Sequence, residues 1–227
     1  MVSDQWSVND ILINNHRSLI TQKVIMEEKI SYIGRMLSAN ARECVVSSLT
    51  PQNEIPAFGS MLRIPMGAGQ PEIYGVVTDI TLEEDGFLRQ IAGLADISDE
   101  VIRDAQENRN VPIVIRMAFI GYMEGDRVLH LLPPRPPATL TEIYPCSPRE
   151  ICEFTRKFGY LRLLMDVNHL PAGELLAVHL QNTAKAHVQQ GDPGWAQRAV
   201  EEIMDLLGSD PAGLIAVMGA IGDAELF

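Results

Sequence analysis

Four carboxylates follow one another closely at the end of an apparent strand. Asp79, Glu83, Glu84 and Asp85 all lie in the stretch PEIYGVVTDITLEEDG, residues 71–86. Metal-dependent nucleases and phosphohydrolases gather carboxylates at strand ends to hold Mg²⁺, so Asp79, Glu83 and Asp85 are candidate metal ligands. Adjacent residues of an extended chain point to opposite sides, which separates Glu83 from Glu84 and favours the simpler interpretation, a solvated turn.

The chain lacks the residue patterns of the common catalytic and metal sites. No glycine is followed by lysine, so the G-x-x-x-x-G-K loop that cradles phosphate is absent, as is the G-x-S-x-G of serine hydrolases. Cys146 and Cys152 have no histidine near them to complete a zinc site. His179 and His187 lack the glutamate of H-E-x-x-H, which favours solvated helix histidines. The sequence therefore predicts no cofactor and favours a protein without catalytic activity.

Composition narrows the classes of partner. The 227 residues carry a net charge of −12, which repels a phosphate backbone and predicts no direct contact with nucleic acid outside a local basic patch. Three cysteines give no disulfide framework, so a reducing cytoplasm is the expected compartment. No apolar run approaches the ~20 residues of a membrane span, so no membrane contact is expected.

One group of basic residues breaks the acidic trend and lies in a predicted helix over 148–165: Arg149, Arg156, Lys157 and Arg162. Arg149 and Arg156 are seven residues apart, which places them on one face of a helix. One interpretation is a solvated face whose charges pair with glutamates at helical spacing. The other is a surface for an anionic partner, which would make the protein a nucleic-acid-associated adaptor.

Short runs rich in Val, Ile and Tyr dominate the first half of the chain, and turn residues separate them. Six such runs in close succession predict an antiparallel barrel or sandwich, with a short helix after Ser98. The runs are 30–37, 43–49, 60–66, 72–82, 111–123 and 126–132. Four prolines in PPRPPA, residues 133–138, then predict a stiff linker and a domain boundary.

Helical periodicity dominates the remainder of the chain. Ser147 and Glu150 form a capping box that starts the helix at 148–165, and three more helices are predicted from Pro171, Pro193 and Pro211. Four amphipathic helices with short connections predict a small bundle. The fold class is therefore α+β, a small antiparallel β-barrel followed by a C-terminal helical bundle. The predicted domains are an N-terminal arm or helix at 1–28, a β domain at 29–138 and a helical domain at 139–227.

The order of the strands resembles the HAS barrel, a small β-barrel shared by HerA-type ATPases and the ATP synthase α and β subunits. The resemblance rests on ISYIGRMLSANARECVVSSL, then GSMLRIPM, then EIYGVVTDITL and the proline-rich exit. It marks Gly34, Gly59 and Gly75 as structural positions of the barrel. Glycine inside a strand is typical of a bend or a close backbone approach, which explains Gly34 and Gly75 in a tightly curved sheet.

The resemblance implies an assembly module rather than an ATPase. HerA-type ATPases continue into a phosphate-binding loop, whereas some sixty helical residues without such a loop follow here. We therefore expect a non-catalytic interaction protein that forms oligomers and docks on a HerA-type ATPase or another protein. A partly open barrel offers strand edges for such contacts. The apolar segment GLIAVMGAIGDAELF is expected to pack in the bundle or against another chain.

Overall fold

The computed structural model describes residues 32–48, 54–83, 93, 97–100, 103, 113–167, 170–224 and 226. The predicted arm at 1–28 and the candidate ligand Asp85 lie outside these residues. Of the helix predicted after Ser98, the described residues 99, 100 and 103 are helical, and the rest also lies outside.

Seven antiparallel strands form the first part of the described chain. They are β1 (Gly34–Ala39), β2 (Glu43–Ser48), β3 (Met61–Pro65), β4 (Glu72–Leu82), β5 (Ile113–Glu124), β6 (Arg127–Leu129) and β7 (Glu142–Pro145). Hydrogen bonds join them in the order β2-β1-β7-β3-β4-β5-β6, and β2 also pairs with β5. That last pairing closes a six-stranded barrel, to which β6 adds an outer hairpin strand. The predicted antiparallel barrel is confirmed.

Two details of the barrel were not predicted from the sequence. The sequence left open whether the barrel is closed, and the structure shows a closed barrel, because β2 pairs with β5 along six residues from Glu43 to Ser48. The barrel consists of β1 to β5 and β7, without β6. β7 follows the proline-rich segment and lies beyond the predicted boundary at residue 138. β7 bridges β1 and β3 and buries Ile143 completely.

Glycines let neighbouring strands of the barrel approach closely. A Cβ on Gly75 would lie 2.5 Å from the carbonyl oxygen of Ala118, and Gly75 sits where β4 shifts register against β5. A Cβ on Gly34 would collide with the carbonyl oxygen of Ser47 on β2. Gly59, just before β3, has a φ of 78°, a left-handed conformation that glycine adopts without strain.

Among the described residues after the barrel there are five helices: α1 (Pro148–Phe154), α2 (Leu161–Met165), α3 (Ala172–Gln189), α4 (Trp195–Leu206) and α5 (Pro211–Asp223). The predicted capping box is present at Ser147 and Glu150. The single helix predicted over 148–165 is wrong, because α1 ends at Phe154. The next two carbonyls are taken by distant side chains: His130 Nε2 donates to Phe154 at 3.0 Å and Trp195 Nε1 to Thr155 at 2.9 Å.

The barrel and the helices share one hydrophobic core. Tyr74 and Ile120 of the barrel belong to the same buried cluster as Leu176 and Ile203 of the helices. The ring of Tyr74 stacks on that of Phe154 with centroids 4.6 Å apart. A second cluster, built around side chains such as Met36, fills the barrel interior. Tyr32–Phe227 accordingly forms one compact unit, with no division between units at residue 138.

Candidate functional site

The candidate metal ligands are not brought together. Asp79 is exposed on β4, and its Oδ2 accepts a hydrogen bond from the Thr81 hydroxyl at 3.2 Å. Glu83 is exposed just beyond the end of the same strand. Within the described part of the chain, no group of three or more His, Cys, Asp or Glu side chains is arranged to hold a metal ion. The two described carboxylates are therefore consistent with a solvated strand end.

The four basic residues lie on three different segments. Arg149 is on α1, Arg156 and Lys157 are in the connection after it, and Arg162 is on α2, all exposed. Because α1 ends before Arg156, the spacing argument that put it on one helix face with Arg149 is wrong. Arg162 donates to the carbonyl oxygen of His130 at 2.6 Å, so this residue also anchors the chain after β6.

A Thr-His-Asp arrangement joins α1, α3 and α4. His187 Nε2 lies 2.8 Å from Thr155 Oγ1, and its Nδ1 lies 3.6 Å from Asp192 Oδ2. Such a chain has the connectivity of a catalytic triad. Here, however, the Thr155 hydroxyl donates to the Ile151 carbonyl at 2.6 Å, so Thr155 Oγ1 accepts from His187 Nε2.

The Thr155 and His187 side chains of this arrangement are sealed from solvent, whereas Asp192 is 43% exposed. Thr155 is fully buried and His187 is 3% exposed, with its ring stacked 4.5 Å from that of Trp195. Burial lowers the pKa of His187, while the Asp192 carboxylate opposes that shift. Arg198 holds the same carboxylate at 2.6 Å. A hydroxyl that no substrate can reach is not a nucleophile, so this cluster locks the helices together.

His179 fastens α3 to the barrel. Its Nδ1 donates to the carbonyl oxygen of Gly59 at 3.0 Å, and the Tyr160 hydroxyl donates to its Nε2 at 3.1 Å. Both side chains are fully buried, and burial lowers the pKa of His179 to about 4. The interpretation of His179 and His187 as solvated histidines is therefore wrong. His179 is a neutral structural residue near pH 7.

An arginine that lies between two glutamates makes a second contact between the barrel and the helices. Arg63 on β3 places Nη1 2.6 Å from Glu72 Oε1 and Nε 2.9 Å from Glu150 Oε1. The Nε–H does not point at the Glu150 oxygen, so this second contact is an ion pair rather than a hydrogen bond. The guanidinium also lies over the Tyr144 ring, 5.1 Å from its centroid. The cluster ties β3, β4 and β7 to the start of α1.

A cleft of about 140 Å³ lies between the barrel and α2. Its lining includes the apolar residues Phe119 and Leu163, and also Arg42 and Asp166, which form an ion pair at 3.1 Å. Both charged side chains are more than half exposed. The cleft has room for one small apolar group under a charged rim, and nothing in the sequence predicted it.

The outer side of α5 forms an uncharged surface, here called the α5 face: Ala212, Ile215, Ala216, Gly219 and Gly222. Val217 and Ile221, on the other side of the helix, are buried, and α5 packs against α3. Ile215 is 75% exposed, the largest value among the exposed large hydrophobic side chains of the described residues. The apolar C-terminal segment was expected to pack in the bundle or against another chain. The described residues show such packing within the chain for one side of α5 only.

Comparisons with known proteins leave the family open. A scan against protein-family models finds no matching model, and a search of curated proteins finds no match. Among the described helices, none has the length and apolar character needed to cross a membrane. A function for this chain therefore has to follow from its own surfaces.

Proposed function

We propose that this protein is a non-catalytic assembly protein, built on a HAS-type barrel, that works through protein–protein contact. It forms oligomers in the cytoplasm and docks on a HerA-type ATPase or another protein partner. The observation that supports this proposal is the α5 face. A helix that is apolar on its outer as well as its inner side is typical of a buried helix, so a partner is needed to cover it.

The closed barrel directs the contact to the helical region. Each of the six barrel strands pairs with a neighbour on both sides. The barrel therefore offers little unpaired strand edge to which a partner could add a strand. The outer strand β6 spans only three residues. A partner therefore meets this protein by packing side chains against a helix rather than by extending a sheet.

The fastenings between the barrel and the helices support a rigid interaction module. His179 joins α3 to the loop before β3, and Arg63 joins the barrel to α1. Phe154 and Tyr74 add a stacked aromatic pair across the same junction. A binding surface that is held by such contacts loses little conformational entropy on association, which favours affinity.

Assembly is measured directly on the full chain. Light scattering should give a particle mass that rises above the 25.1 kDa of one chain as concentration increases. A pull-down with a purified HerA-type ATPase, repeated at low and high salt, tests the named partner. A particle that stays at one chain at every concentration, and that neither binds the ATPase nor forms crosslinks to another protein in its native cells, would contradict the proposal.

A further inference from the structure

The helices α1, α3 and α4 meet at the ring of His187. This ring belongs to α3 and is almost fully buried. Thr155, at the end of α1, places Oγ1 2.8 Å from Nε2 of the ring. Trp195, the first residue of α4, stacks on the ring with centroids 4.5 Å apart and 12° between the planes. A charge placed on this ring would therefore act on three helices at one point.

Hydrogen bonding fixes the position of the single proton of the neutral His187 ring. The Thr155 hydroxyl lies 2.6 Å from the carbonyl oxygen of Ile151, which can only accept, so the hydroxyl proton must lie between these two oxygens. Thr155 Oγ1 can then only accept from His187, and the ring proton must lie on Nε2. A neutral imidazole carries one N–H, so Nδ1 is left with a bare lone pair.

The bare Nδ1 faces a carboxylate oxygen. Asp192 Oδ2 lies 3.6 Å from Nδ1, and the Asp192 backbone amide donates to the His187 carbonyl oxygen at 2.9 Å, which holds the two residues side by side. Two atoms that carry only lone pairs gain no hydrogen bond from this approach. A proton on Nδ1 would turn the same approach into a charge-assisted hydrogen bond.

The other groups around the ring decide when that proton is taken up. Burial lowers the pKa of His187, the Asp192 carboxylate opposes this, and the positive charges of Arg198 on α4 and Arg156 after α1 lower the pKa further. The Cys152 thiol of α1 is uncharged near pH 7, because burial and the Asp192 carboxylate raise its pKa. The ring is therefore neutral near pH 7 and takes up the proton only as the pH falls below the ordinary value of 6.5.

His179, on the same helix, offers no such place for a proton. Its Nδ1 donates to the Gly59 carbonyl oxygen, and its Nε2 accepts from the Tyr160 hydroxyl. Its described hydrogen-bond partners include no carboxylate, and a proton on Nε2 would displace the Tyr160 donor. Acid thus breaks a contact at His179, whereas it completes one at His187.

We propose that His187 Nδ1 and Asp192 Oδ2 form a proton-binding site, in which one proton closes a hydrogen bond between α3 and the segment that leads into α4. The proton also makes the ring a cation stacked on the Trp195 indole, and it draws the Asp192 carboxylate away from Arg198, which lies 2.6 Å from the same Oδ2. The carboxylate limits, without abolishing, the loss of stability that a charge on a buried ring causes. This device is separate from the proposed function, and neither depends on the other.

Nitrogen-15 NMR of the full chain, labelled at the histidine rings, tests the starting state without any substitution. Well above its pKa, His187 should carry its proton on Nε2 and show a bare Nδ1. On acidification both nitrogens should become protonated while circular dichroism still reports the folded chain. A ring that carries its proton on Nδ1 at high pH, or that stays neutral until the chain unfolds, overturns the inference.

Trp195 reports the same event by fluorescence. In a Trp6→Phe background it is the only tryptophan of the chain. A stacked imidazolium quenches indole emission much more strongly than a neutral imidazole does, so the emission of the folded chain should fall as the pH is lowered, with a midpoint at the pKa of His187. His187→Gln in the same background should abolish this titration, and a titration that persists would show that another group causes it.

Charge substitutions then test the partner of the proton. Asp192→Asn removes the carboxylate that favours the imidazolium, so the fluorescence midpoint should move to lower pH, and Arg198→Met should move it to higher pH. The matched control is Asp205→Asn, which removes the same charge from an exposed position of α4 and should leave the midpoint unchanged. The inference fails if Asp192→Asn leaves the midpoint at its wild-type value, or if Asp205→Asn displaces it equally.

Discussion

Glycines in the barrel and glycines in α5 stand in opposite environments. A Cβ on Gly75 would press on the Ala118 carbonyl oxygen, and one on Gly34 would collide with the Ser47 carbonyl oxygen. A Cβ on Gly219 would meet no described atom within 4 Å. Contacts inside the chain require glycine at positions 34 and 75 of the barrel. The described contacts do not require glycine at position 219 of α5.

Hydrogen bonding and packing show the same contrast between the two regions. Every strand of the six-stranded barrel has a neighbour on both sides, so the barrel is complete within this chain. The helix α5 buries Val217 and Ile221 on one side and exposes Ile215 on the other. The barrel strands find their hydrogen-bonding neighbours within this chain. The helix α5 leaves an apolar surface that a partner can cover.

The largest effect is expected where the barrel is tightest. Gly75→Val would push side-chain atoms against the Ala118 carbonyl oxygen and against Met117 Cγ, which would lie 2.7 Å from the new Cβ. Overpacking against backbone leaves little room for relaxation, so the free energy of unfolding should fall by about 3 kcal/mol. Urea unfolding followed by circular dichroism measures this, with Gly219→Ala as the control. An unchanged urea midpoint would show that the close strand approach is not needed.

The junction between the two regions should respond to pH through His179. Its folded-state pKa is lowered to about 4 by burial, against an ordinary value of 6.5. The neutral form therefore stabilises the fold above pH 6.5, and that contribution is lost as the pH falls from 6.5 toward 4. The free energy of unfolding should drop by at most about 1.4 kcal/mol per pH unit across this window. His187, whose pKa burial also lowers, acts in the same direction.

A non-titrating side chain isolates that contribution. His179→Gln should lower stability at pH 7, because the Gly59 carbonyl and the Tyr160 hydroxyl lose well-placed partners. It should also flatten the decline in stability between pH 6.5 and 4. Urea midpoints at half-unit pH steps provide the measurement, with the wild type as the reference. Equal slopes in the wild type and His179→Gln would mean that other groups govern the acid response.

The Arg63 cluster tests the other fastening between the regions. Arg63→Met removes the positive charge from between Glu72 and Glu150, and leaves two half-buried carboxylates close together. We expect a loss of about 2 kcal/mol in the free energy of unfolding, below the range for a fully buried pair because the site is partly solvated. Glu150→Gln, which keeps the shape and one acceptor oxygen, should cost less. If both variants unfold at the wild-type urea concentration, the cluster does not hold α1 to the barrel.

Runs rich in Val, Ile and Tyr, separated by turn residues, made the strands of the barrel predictable, but not the closure of the barrel. The run from Ile73 to Val77 has the composition of a strand, and all five of its residues are buried in the structure. The β2–β5 pairing joins segments about seventy residues apart, and no local pattern encodes it. β7 was missed because four residues after a proline-rich stretch carry too little periodicity to stand out. Local rules thus gave the strands, and long-range pairing decided the boundary.

The early end of α1 and the burial of the histidines show the same division between features that local sequence could predict and features that it could not. α1 ends at Phe154, and the carbonyl oxygens of Phe154 and Thr155 accept hydrogen bonds from His130 and Trp195, which lie 24 and 40 residues away in the sequence. That break could not be read from the capping box alone. The burial of His187 had a local signal, since it continues the stripe of buried Leu176, Leu180 and Thr183 at helical spacing. The open side of α5 also had a signal, an apolar helix that lacks charge on any side.

The smallest effect compares two helix glycines directly. Gly222→Ala adds a Cβ to an open position of α5, so the free energy of unfolding of the dilute monomer should rise by about 0.5 kcal/mol through helix propensity. Gly173→Ala adds the same Cβ at 3.2 Å from the Ala216 carbonyl oxygen and 3.3 Å from Val217 Cα, so crowding at the α3–α5 contact should cancel or reverse that gain. Paired urea titrations at low micromolar concentration separate the two outcomes. A gain at both positions would mean that α3 and α5 can move apart freely, and a loss at Gly222 would mean that its side of the helix is already covered within one chain.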